Sequence, residues 1–184
     1  TFDELGGIKE ILPRSRNDAH KLIEECMLLA NVAAAEYALK HDVPMLYRVH
    51  EPPEFSRIQK VRDFVKLLGL HFPEQPTQAD YQAVIEATKD RIDAPSIHAV
   101  LLRSMMQAYY GANNAGHFGL AYDAYTHFTS PIRRYPDLLL HRAIKAHLQH
   151  KPSPLSGAAL DDAGEHYSAT ERRADEASRS VTTW

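Results

Sequence analysis

Two prolines, Pro131 and Pro136, constrain the backbone of this chain more than any other feature. A proline fixes its own φ and has no backbone N–H, so helices accept it in their first turn and not in their interior. Ser130, directly before Pro131, is a favourable N-cap residue. The pattern therefore predicts a short turn over residues 130–135, followed by a helix from Pro136 to about Leu148.

Two adjacent arginines, Arg133 and Arg134, lie at this predicted helix start. The unpaired N–H groups and the positive end of the helix dipole attract anions there, and a guanidinium donates to two phosphate oxygens at once. The motif therefore favours a phosphate ligand. The alternative is that both arginines pair with carboxylates of a neighbouring helix, and the motif alone leaves the two interpretations open.

The composition of the 184 residues is ordinary for a globular protein, with 44% hydrophobic and 24% charged residues. A net charge of −3 gives no overall basic signature, so any nucleic-acid surface must be local. Residues 131–151 contain such a basic patch, in which a single acidic residue, Asp137, is outnumbered by Arg133, Arg134, Arg142, Lys145 and Lys151.

One cysteine, Cys26, excludes an internal disulfide and predicts a reducing compartment, which we take to be the cytoplasm. No apolar run approaches the length of a membrane span, so no membrane partner is expected. The chain lacks an initiator Met and stops inside a helical pattern, which suggests a fragment excised from a longer protein.

Hydrophobic spacing predicts a mainly helical α+β fold. A long helix is expected from Asn17 or Asp18 to about Lys40, with one apolar face made of Leu22, Cys26, Leu29, Ala33 and Tyr37. A last helix carries a seam at alternating spacings of three and four, which favours close packing on the body: Leu160, Ala163, Tyr167, Thr170, Ala174, Ala177, Val181 and Trp184.

Shorter elements are predicted between these two helices. They are a strand at 45–50, a helix at 55–68 ended by Gly69, helices at 77–89 and 94–109, and a strand through 118–125 that enters the arginine motif. Residues 1–16 are expected to form an incoming strand or loop, and residues 151–157 an exposed internal loop.

Two glutamates are candidates for a binding site. Glu25 lies on the flank of the apolar face of the first long helix, and Glu171 lies beside Arg172 and Arg173 in the last one. Either carboxylate would be oriented toward a site from these positions. The alternative is that both are solvated helix glutamates, which is the usual fate of such residues.

Self-sufficient catalytic motifs are missing from the sequence. It contains no dense aspartate cluster for two divalent metals, no Walker loop, no G-x-S-x-G and no paired-cysteine zinc pattern. Asp161 and Asp162 most simply cap the last helix, and His147-x-x-His150 has no carboxylate or cysteine near it in sequence. No metal ligands are therefore assigned in this chain.

Four ordered motifs resemble the RNB catalytic domain of the RNase R and RNase II family, most closely its bacterial RNase R members. The resemblance covers roughly residues 17–184, nearly the whole chain. The motifs are Asn17-Asp-Ala-His-Lys-Leu-Ile-Glu-Glu-Cys-Met27, Gly116-His-Phe-Gly-Leu120, His127-Phe-Thr-Ser-Pro-Ile-Arg-Arg-Tyr-Pro-Asp-Leu138 followed by His141-Arg142, and Glu171-Arg-Arg-Ala-Asp-Glu176.

The resemblance implies a processive 3′-to-5′ exoribonuclease that hydrolyses single-stranded RNA with magnesium held by an aspartate cluster. In the family that cluster belongs to an earlier part of the domain, and oligonucleotide-binding barrels flank the domain. Residues 1–184 are accordingly identified as the C-terminal part of an RNB catalytic domain. Such a piece is expected to be inactive alone, with RNA and the remainder of the domain and its barrels as partners.

The resemblance also implies residue roles. Arg133 matches the arginine that contacts the scissile phosphate, and Glu25 and Glu171 match glutamates that bind the terminal ribose hydroxyls. Arg134 and Arg142 are expected to line the phosphate path or to brace the site. The competing hypothesis is a non-enzymatic helical module that binds RNA or a protein, and an aspartate-rich stretch directly upstream would favour the enzyme.

Overall fold

The computed structural model describes Gly7 and residues 16–182, which form six α-helices and two short strands. The mainly helical α+β fold that was predicted is confirmed. The expected strand or loop over residues 1–16 lies, apart from Gly7 and Arg16, outside the described residues. In chain order the elements are α1 (Asp18–Lys40), β1 (Tyr47–Val49), α2 (Phe55–Leu67), α3 (Gln78–Thr88), α4 (Ala94–Ser104), β2 (Tyr109–Gly111), α5 (Tyr135–Leu148) and α6 (Ala158–Thr182).

The two strands pair antiparallel, with Arg48 directly opposite Tyr110. Helix α6 packs against β2 at Gly164, where an added Cβ would lie 2.8 Å from the backbone oxygen of Tyr110. The side chain of Ser168, one turn later, accepts a hydrogen bond from the Tyr110 N–H at 2.8 Å. Glycine and serine thus allow a close helix–strand approach that a larger residue would prevent.

Three groups of buried side chains form the core. The first joins α1, β1 and α5 through residues such as Ala35, Val49 and Leu140. The second lies among α2, α3 and α4, and the third joins Leu46, Tyr110, Leu139 and Leu160 across the sheet, α5 and α6. The sheet and α5 are therefore shared by two of the groups.

Helix α1 begins where predicted, because the Asn17 side chain accepts a hydrogen bond from the His20 N–H. The predicted apolar face was wrong, since Leu22 and Leu29 are 64% and 71% exposed and Cys26 and Ala33 are also exposed. The helix instead buries small and polar residues in its second half: Asn31, Ala34, Ala35 and Ala38. These alanines belong to the buried group that joins α1 to β1 and α5.

Helix α4 ends at Ser104, five residues before the predicted end near Tyr109. Met105 is extended, and its carbonyl accepts a hydrogen bond from Arg57 Nη1 at 3.1 Å. The following residues then pair with β1, so strand pairing overrides the helical spacing.

The strand predicted through residues 118–125 was also wrong. Phe118–Leu120 forms one turn of 3₁₀ helix, followed by Ala121 with a φ of +56°. A hydrogen bond of 2.9 Å from the Arg48 N–H to the Tyr125 carbonyl holds the later part beside β1. From this irregular segment Tyr125 is buried and Phe118 packs against the second core group.

Helix α6 follows the irregular segment 151–157 and matches its predicted seam only in its first half. Leu160 is buried and Tyr167 is half-buried, whereas Ala174, Ala177 and Val181 are exposed, and Trp184 lies outside the described residues. The packing partner of the first half is β2 and α5. None of the helices in residues 16–182 has the length and apolar character needed to cross a lipid bilayer.

Candidate functional site

The turn before α5 has the predicted form. The carbonyl of Ser130 accepts hydrogen bonds from the N–H groups of Arg133 and Arg134 at 3.2 and 3.1 Å. Arg134 is the N-cap residue of α5, and Pro136 falls in the first turn of the helix, where its missing N–H costs nothing. We call residues 130–134 the arginine turn. It places two guanidinium groups at the positive end of a helix.

The guanidinium of Arg134 is held by Asp137, in the first turn of α5. Arg134 Nε and Nη2 donate to the two carboxylate oxygens, each at 2.8 Å, and the Ser130 N–H donates to Asp137 Oδ2 at 2.8 Å. Asp137 is fully buried. Two paired donors and a backbone donor satisfy the buried charge, which otherwise would be costly. The pairing partner is thus on the same helix and not on a neighbouring one.

Arg133 differs from its neighbour in both exposure and pairing. Its side chain is exposed, and it forms no ion pair or side-chain hydrogen bond with any residue in the described part of the chain. A free guanidinium at a helix N-terminus suits an anionic ligand such as phosphate. The two arginines therefore differ: Arg134 has a carboxylate partner, and Arg133 has none among the described residues.

Glu171 is oriented by an arginine that the sequence reasoning missed. Arg48 Nη1 and Nη2 donate to its two carboxylate oxygens at 2.6 and 3.0 Å, and the two side chains are only 15% and 32% exposed. The guanidinium carbon of Arg48 also lies 4.7 Å from the centre of the Tyr110 ring. An arginine between the buried Tyr47 and Val49 of a strand was the available signal.

A neutral histidine adjoins this pair. Tyr110 Oη and His127 Nδ1 share a hydrogen bond of 2.8 Å. Burial, aided by the positive charges of Arg134 and Arg48, lowers the pKa of His127 to about 3. Burial also raises the pKa of Tyr110 to about 12. Neither ring is charged near neutral pH, so the local positive charge comes from arginines.

One cleft of about 460 Å³ brings together three of the five predicted site residues, Arg133, Arg134 and Glu171. Arg142 does not line it. Its Nη1 donates at 3.4 Å to the hydroxyl of Tyr135, a cleft residue, and its guanidinium lies 5.9 Å from the centre of that ring. Arg142 is therefore connected to the cleft through Tyr135.

Glu25 lies apart from this cleft in the described structure. It is exposed on α1 and lines a separate groove of about 300 Å³ with Cys26, Leu29, Val32 and Tyr122. The structure thus assembles Glu171 with the arginine turn and leaves Glu25 at another surface.

Magnesium ligands are not assembled by the residues that the structure describes. Within that part of the chain no group of three or more His, Cys, Asp or Glu side chains is arranged to hold a metal ion. Asp137 is already paired with Arg134 and Glu171 with Arg48, which leaves Asp175 as the one further carboxylate among the described residues that line the cleft. These residues therefore do not fit a magnesium cage, and the expectation that the ligands lie elsewhere stays a prediction.

The chain belongs to the RNB domain family, whose model matches residues 1–150. Among curated proteins, it is 51% identical over 197 residues to ribonuclease R of Vibrio cholerae serotype O1, an alignment that covers all of this chain and 24% of that protein. The chain thus spans about a quarter of the length of the curated relatives it matches. The predicted family is confirmed.

Solved structures agree with this assignment. Mycoplasma genitalium RNase R in complex with ribose methylated single-stranded RNA has a TM-score of 0.87 and 27% identity, over 98% of this chain and 30% of that one. Yeast Ssd1, described as a pseudonuclease, has a TM-score of 0.72 and 27% identity, over 83% of this chain and 20% of that one.

Proposed function

We propose that the chain is the later part of the catalytic domain of a processive 3′-to-5′ exoribonuclease that hydrolyses single-stranded RNA. The observation that carries the proposal is the exposed guanidinium of Arg133, free of partners in the described residues, in one cleft with the ordered carboxylate of Glu171. A phosphate and a ribose are the two backbone groups of RNA, and these side chains suit them respectively. Identity to proteins named ribonuclease R supports the reaction class.

Arg133 has the properties of a charge stabiliser for phosphodiester hydrolysis. It lies before the N-terminus of α5 on a turn closed by two backbone hydrogen bonds, so its position costs little to maintain. Positive charge fixed in advance stabilises the negative charge that develops on the phosphoryl oxygens. Arg134 is already paired with Asp137, and its contribution is to hold the turn that carries Arg133.

Glu171 and Glu25 are proposed to accept hydrogen bonds from ribose hydroxyls. Each carboxylate oxygen of Glu171 takes one N–H from Arg48 and retains a second lone pair for a hydroxyl. A carboxylate that accepts from a 2′-hydroxyl distinguishes RNA from DNA. Arg142, on the surface beside Tyr135, is proposed to contact phosphates further along the strand.

The remaining components are assigned to the longer protein. Magnesium, its aspartate ligands and the flanking oligonucleotide-binding barrels complete the enzyme, and a bound magnesium ion would supply the activation of water and the neutralisation of phosphate charge. The free, exposed Cys26 fits a reducing compartment, the cytoplasm. We expect the 184-residue chain to release no nucleotides from RNA alone, and magnesium-dependent release that Arg133→Ala abolishes would contradict this.

The role of Arg133 is tested by single-turnover cleavage in the full-length enzyme at saturating RNA, together with RNA affinity over a salt series. Arg133→Ala should reduce the cleavage rate about 10²- to 10³-fold. Arg142→Ala is the matched control, because it removes an exposed arginine outside the cleft, and it should mainly weaken binding and flatten its salt dependence. Wild-type cleavage by saturated Arg133→Ala would refute the assignment.

The role of the glutamates is tested by comparing RNA with DNA. Glu25→Gln and Glu171→Gln should narrow the preference for RNA, since a buried hydrogen bond to a charged group contributes roughly 1–3 kcal/mol. Glu24→Gln is the matched control on α1, because Glu24 pairs with Arg16 on the surface. An RNA-to-DNA ratio unchanged in both test variants would remove the assignment.

A non-enzymatic RNA- or protein-binding module is the second candidate, and the similarity to a pseudonuclease structure favours it. The arginine turn and the cleft suit binding equally well without hydrolysis. Sequencing directly upstream distinguishes the candidates, since the enzyme requires a cluster of aspartates there and the binding module does not.

A further inference from the structure

Asn31 is the polar residue that α1 buries completely, in the middle of a run of alanines. Its Oδ1 accepts hydrogen bonds from the backbone N–H groups of Phe128 and Thr129 at 2.9 and 3.2 Å. Its Nδ2 donates to the hydroxyl of Tyr125 at 2.8 Å. Because two backbone donors face one end of the amide, the orientation of the side chain is determined. Every side-chain hydrogen bond that the structure gives Asn31 goes to residues 125–129, the segment that enters the arginine turn.

The same segment is also fixed from α5. The carbonyl of Phe128 lies 2.9 Å from His141 Nε2, and the two rings stack in parallel with centroids 4.1 Å apart. Phe128 is thus held through its N–H by α1 and through its carbonyl and ring by α5. Arg133 is four positions after Thr129, and the turn between them is closed on Ser130 and Asp137. Asn31 therefore fixes the position from which Arg133 projects.

Helix α1 also carries Glu25, six residues before Asn31, which corresponds to about 9 Å along a helix. The side-chain hydrogen bonds of Asn31 therefore connect α1, which carries Glu25, to the segment that leads into the arginine turn, which carries Arg133. The buried residues of α1 are Asn31 and three alanines, so this helix has few large buried side chains to set its register against that turn. The directional hydrogen bonds of Asn31 set this register instead.

We propose that Asn31 is a positioning residue that sets the distance between α1 and the arginine turn, and so places Arg133 for the chemical step. This inference rests on the proposed function, since it assumes that Arg133 meets the phosphate. Loss of Asn31 then slows the chemical step without equally weakening RNA binding, because the RNA-contacting groups remain present and only their placement changes.

The test uses the full-length enzyme with Asn31→Ala, Asn31→Asp and Tyr125→Phe. Asn31→Ala should lower the single-turnover rate at saturating RNA by about 10²-fold and change RNA affinity by less than about threefold. Asn31→Asp keeps the acceptor for the two N–H groups and should recover most of the rate. Tyr125→Phe is the matched control, because it deletes a hydrogen bond of the same buried cluster and leaves those to Phe128 and Thr129 intact.

Two outcomes of the cleavage measurements would overturn the proposal. One is a folded Asn31→Ala that cleaves within threefold of wild type, and the other is Tyr125→Phe as slow as Asn31→Ala, which would indicate general damage to the core. Arg133→Ala is measured in parallel, so a wild-type rate for that variant identifies a failure of the proposed function instead.

Hydrogen exchange of the wild-type protein tests the hydrogen bonds to Asn31 directly, whether or not the variants fold or cleave RNA. The Phe128 and Thr129 amides should be protected as strongly as the core of α1, and rapid exchange there would refute the bonds themselves.

Discussion

The two arginines of the arginine turn should differ sharply in their contribution to stability. Arg134→Ala removes two hydrogen bonds of 2.8 Å from Asp137, a residue with 0% exposure, and leaves it the Ser130 N–H as the remaining donor given by the structure. Breaking a buried ion pair from one side costs about 3–5 kcal/mol, because the other charge stays buried without compensation. Arg134 itself is 17% exposed, so water can replace it only in part.

Arg133→Ala is the internal control for this prediction. It deletes the same side chain one residue earlier, but from an exposed position without a partner in the described residues, so the free energy of unfolding should change by less than about 0.5 kcal/mol. Urea unfolding at neutral pH measures both variants against the wild-type protein. The expected result is a large fall in the midpoint for Arg134→Ala at an unchanged slope.

A double-mutant cycle isolates the pair from other effects of truncation. Asp137→Ala alone should also be strongly destabilising, and adding it to Arg134→Ala should cost much less than the sum, with a coupling energy of about 1–3 kcal/mol. The reasoning is refuted if the two single arginine variants lie within about 0.5 kcal/mol of each other, or if the double variant is simply additive.

Three further predictions concern the surroundings of the cleft. Burial, the largest cause, lowers the pKa of His127 to about 3, below its value of about 6.5 in an unfolded chain. The unfolded state therefore binds more protons between these two pKa values, so stability falls as pH drops from about 6.5 toward 3. His127→Gln should make the urea unfolding midpoint depend less on pH between pH 4 and 6.5. An unchanged pH dependence of the midpoint would refute this. Gly164→Ala should destabilise by about 1–3 kcal/mol despite the better helix propensity of alanine, because its Cβ would meet a backbone oxygen at 2.8 Å; a rise in the melting temperature would contradict the packing. Arg48→Lys keeps the charge but loses the paired donors to Glu171 and the contact with the Tyr110 ring, so it should cost about 1–2 kcal/mol, and a calorimetric melting temperature equal to that of wild type would exclude a structural role.

Local chemistry was predicted well from the sequence, because its causes lie within a few residues. Asn17 caps α1, Gly69 follows the end of α2, and the two prolines fix the turn and start of α5. The free guanidinium and the paired one could not be told apart in advance. That distinction depends on Asp137 turning back toward the residue before its own helix, which is a matter of side-chain geometry and not of spacing.

Errors arose where the outcome depends on a packing partner distant in sequence. The leucine face of α1 was expected to be buried, yet the alanine face is the one that joins the core shared with β1 and α5. An asparagine among alanines was the available signal, since Asn is a poor helix former that is retained inside a helix when its amide has partners. Helix α4 was extended too far because pairing between residues 109–111 and 47–49 cannot be read from either stretch alone.

The pairing of β1 with β2 has a consequence for how the chain can vary. Between these strands the chain leaves at Val49 and returns at Tyr109, which are directly opposite each other, and the intervening α2, α3 and α4 enclose a core of their own. The segment between these strands is therefore a loop whose two ends are held together by the strand pairing. A turn of helix gained or lost at its far end changes the closure entropy little, and the contact between Arg48 and Tyr110 at the base stays in register. A change of length at the far end of the 52–107 segment should therefore leave the geometry of the cleft unchanged.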